Sequence, residues 1–287
     1  MSFIDFARAH GVDIDPSKLY PADKIKRCGT VERPNSLNGA YWYDGQRGWV
    51  QDWSGEARVV WYEDPHAKPW TPEEKLEWTL KRKTANAAKD RSYELAAQRA
   101  DITLRSAKME LHDYLHLKGF PEQKGLVLDG VLLVPMRNVV TNKVQGYQQI
   151  FWDTESRKWE KKMQPGMRAK NAVLYIGSRE APEAWLVEGY ATGLSLLAAL
   201  RSVGLHASVV VCFSASNLIA VADQIPGTRF VFADNDVSKT GENAAIQTGL
   251  PWTMADTIGH DANDDHKKFG LFCVVKKIME LRSKCRT

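Results

Sequence analysis

The sequence has few cysteines and no long apolar run, and both absences narrow the classes of protein that fit it. Its four cysteines are far apart, at Cys28, Cys212, Cys273 and Cys285, and none forms a Cys-x-x-Cys pair. This spacing argues against a disulfide framework and a structural zinc site, so we expect no zinc. No run of about 18 apolar residues is present, so we expect neither a transmembrane helix nor a membrane partner.

Several targeting and nucleotide-binding signals are also missing. There is no Gly-x-x-x-x-Gly-Lys-Ser/Thr loop and no Gly-x-Gly-x-x-Gly turn, which excludes an ATP-driven motor or a dinucleotide site of those types. Residues 1–6 lack the basic start and long apolar core of a secretory signal, so the cytoplasm is the expected compartment. The net charge is only +4, so the distribution of charge must indicate any polyanion binding.

Three apolar runs in the second half of the chain predict strands that are buried on both faces. They lie at residues 184–187, 208–213 and 229–233 and are rich in Val and Phe. Helix-like stretches separate them, which is typical of a parallel α/β sheet.

Carboxylates follow two of these predicted strands. Glu188 ends the first run, and Asp234 and Asp236 end the third. Because ligand sites in such sheets lie beyond the carboxyl ends of the strands, we expect these side chains to converge. Close carboxylates repel one another unless protons or cations intervene, and their oxygens suit Mg²⁺ or Mn²⁺, ions that usually serve phosphate chemistry.

The part of the chain before residue 180 divides into segments of different composition. Residues 1–65 predict a small aromatic-rich β module, with a hairpin turn at Asp44-Gly45. Residues 66–118 predict a charged helical connector, residues 119–179 a basic mixed α+β subdomain, and residues 180–287 the α/β domain. An apolar stripe with a ragged period is indicated along the connector, at Leu76, Leu80, Leu95, Ile102, Met109 and Tyr114.

The tryptophans of the first module have two interpretations. Trp42, Trp49, Trp53 and Trp61 are interspersed with Lys and Arg, which suits a surface that stacks nucleic-acid bases. Alternatively, they build the core of the module, because strand aromatics mostly pack.

The order of motifs resembles the Toprim domain, the metal-binding module of bacterial-type primases, topoisomerases and certain nucleases. A strand-terminal Glu188-Gly189 is followed by a strand-terminal Asp-x-Asp-x-x-x-x-Gly at residues 234–241 and then by an acidic loop at residues 259–265. Upstream, residues 133–138, Gly146 and residues 170–177 are similar to the basic subdomain that precedes Toprim in bacterial replicative primases. The whole plan is similar to small primase-like proteins of phages and mobile elements.

This resemblance implies a Rossmann-like Toprim sheet and a set of site residues. Glu188 would act as general base or metal ligand, and Asp234 and Asp236 would hold divalent ions. Asp261 and Asp264 would complete the metal cluster. The residues that would bind nucleotide or template are Arg137, Lys161, Lys162, Arg168, Lys170 and Lys239.

The sequence departs from the primase pattern at three places. Ala191 and Thr192 stand where an Asp is usual, and Asn263 stands where an acid is common. The first module has the position of a primase zinc-binding domain but lacks its ligands, and Cys28 alone cannot hold zinc tetrahedrally.

The leading hypothesis from the sequence is a primase that makes short RNA primers on single-stranded DNA from NTPs, with Mg²⁺ or Mn²⁺ as cofactor. A replicative helicase or another replication protein is a further expected partner. The alternatives are a Toprim nuclease that uses the same ions, and a degenerate module that binds nucleic acid or a replication protein without catalysis.

Overall fold

The chain divides into two units, residues 1–83 and 84–287, and the boundary falls within a long helix. The computed structural model describes residues 1–53, 58–64 and 69–285. The predicted boundary between residues 65 and 66 lies outside these described residues. The finer divisions at residues 118 and 179 stay predictions.

The described part of unit 1 is an antiparallel sheet with a short helix, as expected for a small β module. Its strands pair in chain order, β1-β2-β3-β4-β5. The turn at Asp44-Gly45 joins β3 to β4 and confirms the predicted hairpin, with Gly45 at a φ of +106°. The elements are α1 (Phe3–Ala9), β1 (Val12–Asp13), a 3₁₀ turn (Pro16–Lys18), β2 (Ala22–Thr30), β3 (Gly39–Tyr43), β4 (Arg47–Asp52) and β5 (Val60–Glu63).

Helix α2 (Pro72–Ser106) begins with a capping box and crosses the unit boundary. The Glu74 N–H donates to the Thr71 hydroxyl at 3.2 Å, and the Thr71 N–H donates to the Glu74 carboxylate at 2.8 Å. Proline follows at the first helical position, where its missing N–H costs no hydrogen bond.

The apolar stripe expected along the connector is wrong. Leu76, Leu80, Leu95, Ile102 and Met109 are exposed, and of the expected set only Tyr114, beyond α2, is buried. The buried residues of α2 are instead Ala96, Ala100 and Leu104. Alanine lets the backbone approach closely, and in unit 2 the Gln164 amide donates to the Ala96 carbonyl at 3.0 Å.

Unit 2 contains one mixed sheet that runs through both the basic segment and the α/β segment. Ten strands of the described chain form it, with the order β10-β9-β8-β11-β13-β12-β14-β15 and with β6 and β7 attached beside β8. Its antiparallel part consists of β6 (Lys108–Glu110), β7 (Gly125–Leu128), β8 (Val131–Asn138), β9 (Val144–Asp153), β10 (Lys158–Met163) and β11 (Ala172–Ile176), with α3 (Asp113–Leu117) after β6.

The remaining strands pair in parallel and confirm the α/β class. β12 lies between β13 and β14, and β14 pairs with β15. The elements are β12 (Glu183–Val187), α4 (Tyr190–Ser202), β13 (Ala207–Val211), α5 (Ala215–Ala222), β14 (Thr228–Ala233), α6 (Thr240–Thr248), β15 (Trp252–Met254), α7 (Ala262–Phe269) and α8 (Leu271–Lys284).

Helices cover both faces of the parallel strands, which explains their continuous apolar sequence. Along β12, Trp185 and Val187 pack in one core cluster with residues of α4, α7 and α8. Leu186 faces the other way and packs with residues of α5 and α6. Successive residues of β12 therefore pack in two different core clusters, one on each face of the sheet.

Among the described residues, no helix is both long enough and apolar enough to span a bilayer.

Replacing Leu200 by Ala tests the core between the sheet and α4. Leu200 is fully buried, so Leu200→Ala should lower the free energy of unfolding by about 2–5 kcal/mol through lost burial and a residual cavity. Met279→Ala is the control, because Met279 is 47% exposed and its loss should cost under about 0.5 kcal/mol. Equal costs in urea unfolding followed by circular dichroism would contradict this packing.

Candidate functional site

Two neighbouring parallel strands bring Glu188 and Asp234 to the same edge of the sheet. β12 and β14 pair in parallel with Leu186 opposite Val231, and the two carboxylates follow the last residues of these strands. Continuing the register sets Glu188 beside Ala233, next to Asp234. The expected convergence at the carboxyl ends of the strands is therefore present for this pair of side chains.

Glu188 lies where two helices begin. Its carbonyl accepts a hydrogen bond from the Phe213 N–H at 2.9 Å, and Gly189 precedes the first residue of α4. Burial raises the pKa of Glu188 above its ordinary value, and the negative charge of Asp236 raises it further. The N–H of Ala215, at the start of α5, donates to the carboxylate and offsets part of this shift.

Asp234 has the most perturbed carboxyl group of the cluster. Burial, first, and then the charges of Glu188, Asp261 and Asp236 raise its pKa to about 7, while Lys161 opposes the shift. Its Oδ1 atom is buried and has no hydrogen-bond partner. A buried acceptor without a partner is costly, so this oxygen is suited to a ligand that supplies positive charge.

Asp236 is fixed in a different environment. Burial opposes its ionisation, but hydrogen bonds from the Ser238 hydroxyl and from the N–H groups of Gly241, at 2.9 Å, and Thr240, at 3.1 Å, lower its pKa overall. These donors lie at the start of α6, where the helix dipole favours a negative charge. Asp236 is therefore an ionised anchor that holds the loop after β14.

The same loop is closed by backbone contacts. Asn235 forms an isolated antiparallel bridge with His260, which brings the following acidic loop beside β14. A Cβ on Gly241 would lie 2.4 Å from the Asp234 carbonyl oxygen, so α6 begins this close to the strand only because residue 241 is glycine.

Asp261 and Asp264 form the capping box of α7. The Asp261 carboxylate accepts from the N–H groups of Asn263, at 2.7 Å, and Asp264, at 2.9 Å, and from the Thr192 hydroxyl at 2.9 Å. Asp264 accepts from the Asp261 N–H at 3.3 Å. Asp261 also acts on the pKa of Asp234 and so lies near the cluster, while the metal-binding role of both residues stays a prediction.

The two adjacent lysines of β10 differ in position. Successive residues of a strand face opposite sides of the sheet, so Lys161 shares a face with Trp159, whereas Lys162 faces the other way. Lys161 lowers the pKa of Asp234 and lies 5.7 Å from the Tyr114 ring centroid. Lys162 lies over the Phe151 ring instead, at 5.2 Å. Of this pair, Lys161 is the residue that lowers the pKa of Asp234.

The other predicted basic residues have contacts of their own. Arg168 forms an ion pair with Asp90 of α2, and the Arg137 guanidinium donates to the Asn142 carbonyl at 3.2 Å. The Gln145 amide donates to the carbonyls of Arg168 and Lys170. Lys239 lies 3.8 Å from Glu242 within the first turn of α6. Roles for these four basic residues in nucleotide or template binding stay predictions.

Sequence reasoning missed two tyrosines beside the cluster. Burial raises the pKa of Tyr114 to about 12 and that of Tyr190 to about 12, and each hydroxyl is therefore neutral at physiological pH. The Tyr114 hydroxyl is buried without a hydrogen-bond partner. The position of Tyr190 directly after Gly189 was a usable signal, whereas nothing near Tyr114 in the sequence indicates its contact with Lys161.

The carboxylates are neighbours but do not form a closed cage. Within residues 1–53, 58–64 and 69–285, no group of three or more His, Cys, Asp or Glu side chains is arranged to hold a metal ion. Mg²⁺ usually binds through one or two carboxylates together with water and substrate phosphates, so it does not require such a cage. The unpartnered Asp234 oxygen and the all-oxygen donor set fit a hard cation of this kind.

Comparison with known proteins gives partial structural similarity only. No protein-family profile matches the chain, and no curated protein matches it. One similar structure is that of bacteriophage T7 lagging-strand DNA polymerase interacting with primase domains of two gp4 subunits bound to an RNA/DNA hybrid and dTTP. The identity is 17%, over 62% of this chain and 88% of that one, with a TM-score of 0.37. The DnaG catalytic core is similar at 15% identity, over 52% of each chain, also with a TM-score of 0.37. Overlaps of this extent define neither a family nor an activity.

The raised pKa of Asp234 predicts a stability that depends on pH. The native state holds this proton up to about pH 7, whereas the unfolded chain releases it near pH 3.8, so stability falls as the pH rises between those values. In metal-free buffer, Asp234→Asn should therefore raise the melting temperature at pH 8, and the gain should shrink towards pH 4. The exposed Glu155→Gln serves as control. A lower melting temperature for Asp234→Asn at pH 8 would contradict the assignment.

Proposed function

We propose that this protein is a primase-like nucleotidyltransferase that makes short RNA primers on single-stranded DNA in a divalent-metal-dependent reaction. The observation that carries the proposal is the placement of Glu188 and Asp234 at the ends of neighbouring parallel strands, within electrostatic reach of Asp236 and Lys161. The sequential order of Glu-Gly, Asp-x-Asp and an acidic loop supports it, because that order resembles Toprim-type primases.

Glu188, Asp234 and Asp236 are the residues that would hold Mg²⁺ or Mn²⁺. Asp234 contributes a buried oxygen with no other partner, and its elevated pKa means that a cation would compete with a proton for this group. When bound, the ion would neutralise charge on the triphosphate and lower the pKa of the attacking 3′ hydroxyl. Asp261 and Asp264 would act from the adjoining loop, with Asp261 the nearer contributor of negative charge.

The chain's own groups have separate tasks in primer extension. The 3′ oxygen attacks the α-phosphorus of an NTP, and pyrophosphate leaves with the electrons of the broken P–O bond. Glu188, whose raised pKa makes it a better proton acceptor than an ordinary carboxylate, would take the proton of the attacking hydroxyl. Lys161 would contact the triphosphate, and Asp236 would hold the loop that positions Asp234.

The remaining partners follow from the same proposal. Single-stranded DNA and NTPs are the substrates, and a replicative helicase or another replication protein is the expected macromolecular partner. The cytoplasm is the proposed compartment. Arg137, Lys162, Arg168, Lys170 and Lys239 are also proposed to contact template or nucleotide.

A non-catalytic function has one observation in its favour. Ala191 and Thr192 occupy the region where the primase pattern has an Asp, and the Thr192 hydroxyl donates to Asp261, so a structural contact is present where a further carboxylate is expected. A nuclease would use the same carboxylates. Shortening of labelled strands with Mn²⁺ and no NTPs would identify a nuclease, and strand binding without any response to Mn²⁺ would identify a binding module.

Removing either central carboxylate should abolish primer synthesis. Glu188→Gln and Asp234→Asn are isosteric, so each should reduce incorporation of labelled NTPs on single-stranded templates by about 10²-fold or more while leaving the fold intact. Glu155→Gln is the matched control on the surface. Synthesis by either site variant at the wild-type rate would exclude this site, provided circular dichroism shows native structure.

The two lysines of β10 provide an internal comparison. Lys161→Ala should reduce kcat/KM for NTP by about tenfold or more, because a charge near the carboxylates and triphosphate is lost. Lys162→Ala, on the opposite face, should have a smaller effect. Steady-state incorporation at varied NTP concentration measures both, and equal effects would remove Lys161 from the nucleotide site.

A further inference from the structure

A row of tryptophans crosses the sheet of unit 1 on the face opposite its core. Trp42 of β3 is paired with Trp49 of β4, and Trp49 is paired with Trp61 of β5. Side chains directly opposite one another on adjacent strands share a face, and adjacent strands lie about 4.8 Å apart, so the row spans about 10 Å.

These tryptophans do not build the core of unit 1. The core cluster contains the residues that alternate with them, among them Tyr41, Val50 and Tyr62, together with Phe3 of α1. Trp61 is 59% exposed, which is unusual for so large an apolar side chain. The interpretation of Trp61 as a core residue is therefore wrong. Packing in the core of unit 1 does not explain why these tryptophans are aligned.

Two grooves meet at this row, and both are lined by Trp42, Trp61 and Trp78. Trp78 comes from the part of α2 that belongs to unit 1. The larger groove has a volume of about 570 Å³ and also contains Trp70, and the smaller, of about 340 Å³, also contains Trp49. The Trp70 and Trp78 rings meet edge to face at 5.6 Å. Aromatic faces thus surround both grooves.

Basic side chains lie beside these tryptophan rings. The Arg82 guanidinium lies 5.1 Å from the Trp78 ring centroid, and that of Arg47 lies 5.0 Å from the Trp70 ring centroid. Lys75 also lines the larger groove, where Glu63 is the acidic residue in the described part of the lining. Arg47 is paired with Glu63 at 3.2 Å, so Lys75 and Arg82 carry the excess of positive charge among the described residues that line the two grooves.

We propose that this tryptophan row is a binding surface for single-stranded nucleic acid. Unpaired bases stack on aromatic side chains without regard to sequence, and interleaved arginines and lysines hold the phosphates. A neutral chain such as a glucan would use the rings but gain nothing from the cations, and a duplex would keep its bases inaccessible for stacking. The surface lies within residues 1–83, so the inference does not rest on the metal chemistry proposed for unit 2.

The test measures binding of a fluorescein-labelled oligo(dT) to the full chain by anisotropy, with EDTA and without nucleotides. Trp61→Ala should weaken binding about tenfold, and Trp61→Phe, which keeps a stacking face, should recover most of the affinity. Arg82→Ala should reduce the slope of log K against log salt by about 0.7. Phe272→Ala, at an exposed aromatic residue of α8, is the control and should bind as wild type.

Mapping the crosslinked residues distinguishes binding at the tryptophan row from binding by unit 2. Photo-crosslinking of oligo(dT) that carries 5-iodouracil, followed by mass spectrometry, should label Trp42, Trp61 or Trp78. Wild-type affinity for both Trp61→Ala and Trp78→Ala, crosslinks confined to unit 2, or tighter binding of a neutral glucan than of oligo(dT) would each overturn the proposal. Primer synthesis can fail in all these experiments without affecting their outcome.

Discussion

Electrostatic repulsion between partly buried carboxylates is the constraint on which the candidate site depends. The helices and strands that enclose the parallel sheet also remove Glu188 and Asp234 from water, and this burial is the largest cause of the raised pKa of each. Asp236 adds negative charge to both. Lys161 supplies part of the counter-charge, and a proton or a divalent cation would supply the rest. The site is therefore held in a state that favours a cationic ligand.

The N-termini of two helices stabilise part of the negative charge of these carboxylates. The N–H of Ala215 at the start of α5 donates to Glu188, and the first N–H groups of α6 donate to Asp236, so two helix N-termini stabilise two of the acids. The Asp234 Oδ1 atom has no such donor. The N–H of Ala215 reaches Glu188 because β13, which α5 follows, is paired with β12, whereas β14, which ends before Asp234, lies on the other side of β12. As a result, Asp236 is ionised and holds its loop, whereas the pKa of Asp234 is raised to about 7.

The sequence was sufficient for β12, β13 and β14, for the last residues of β12 and β14, and for the hairpin at Asp44-Gly45, because each depends on a local pattern. It did not indicate β15, and the predicted run at residues 208–213 extends beyond the end of β13 at Val211. The sequence failed for the buried face of α2, where Ala96 and Ala100 pack while Leu76, Leu80 and Leu95 are exposed, since close backbone approach is a property of the partner surface. The separation of Lys161 from Lys162 follows from strand period and was available once β10 was assigned. The contact of Thr192 with Asp261 joins residues 69 apart in sequence, and no local pattern indicates it.

The protonation of Asp234 is the most direct test of this electrostatic account. Carbon-detected NMR of the side-chain carboxyl, with Asp234→Asn used for assignment, gives its pKa with and without Mg²⁺. We expect Asp234 to titrate near pH 7 in metal-free buffer, and its midpoint to fall well below that value when Mg²⁺ is added. A midpoint near 3.8 without metal, or a midpoint near 7 that does not respond to Mg²⁺, would contradict it.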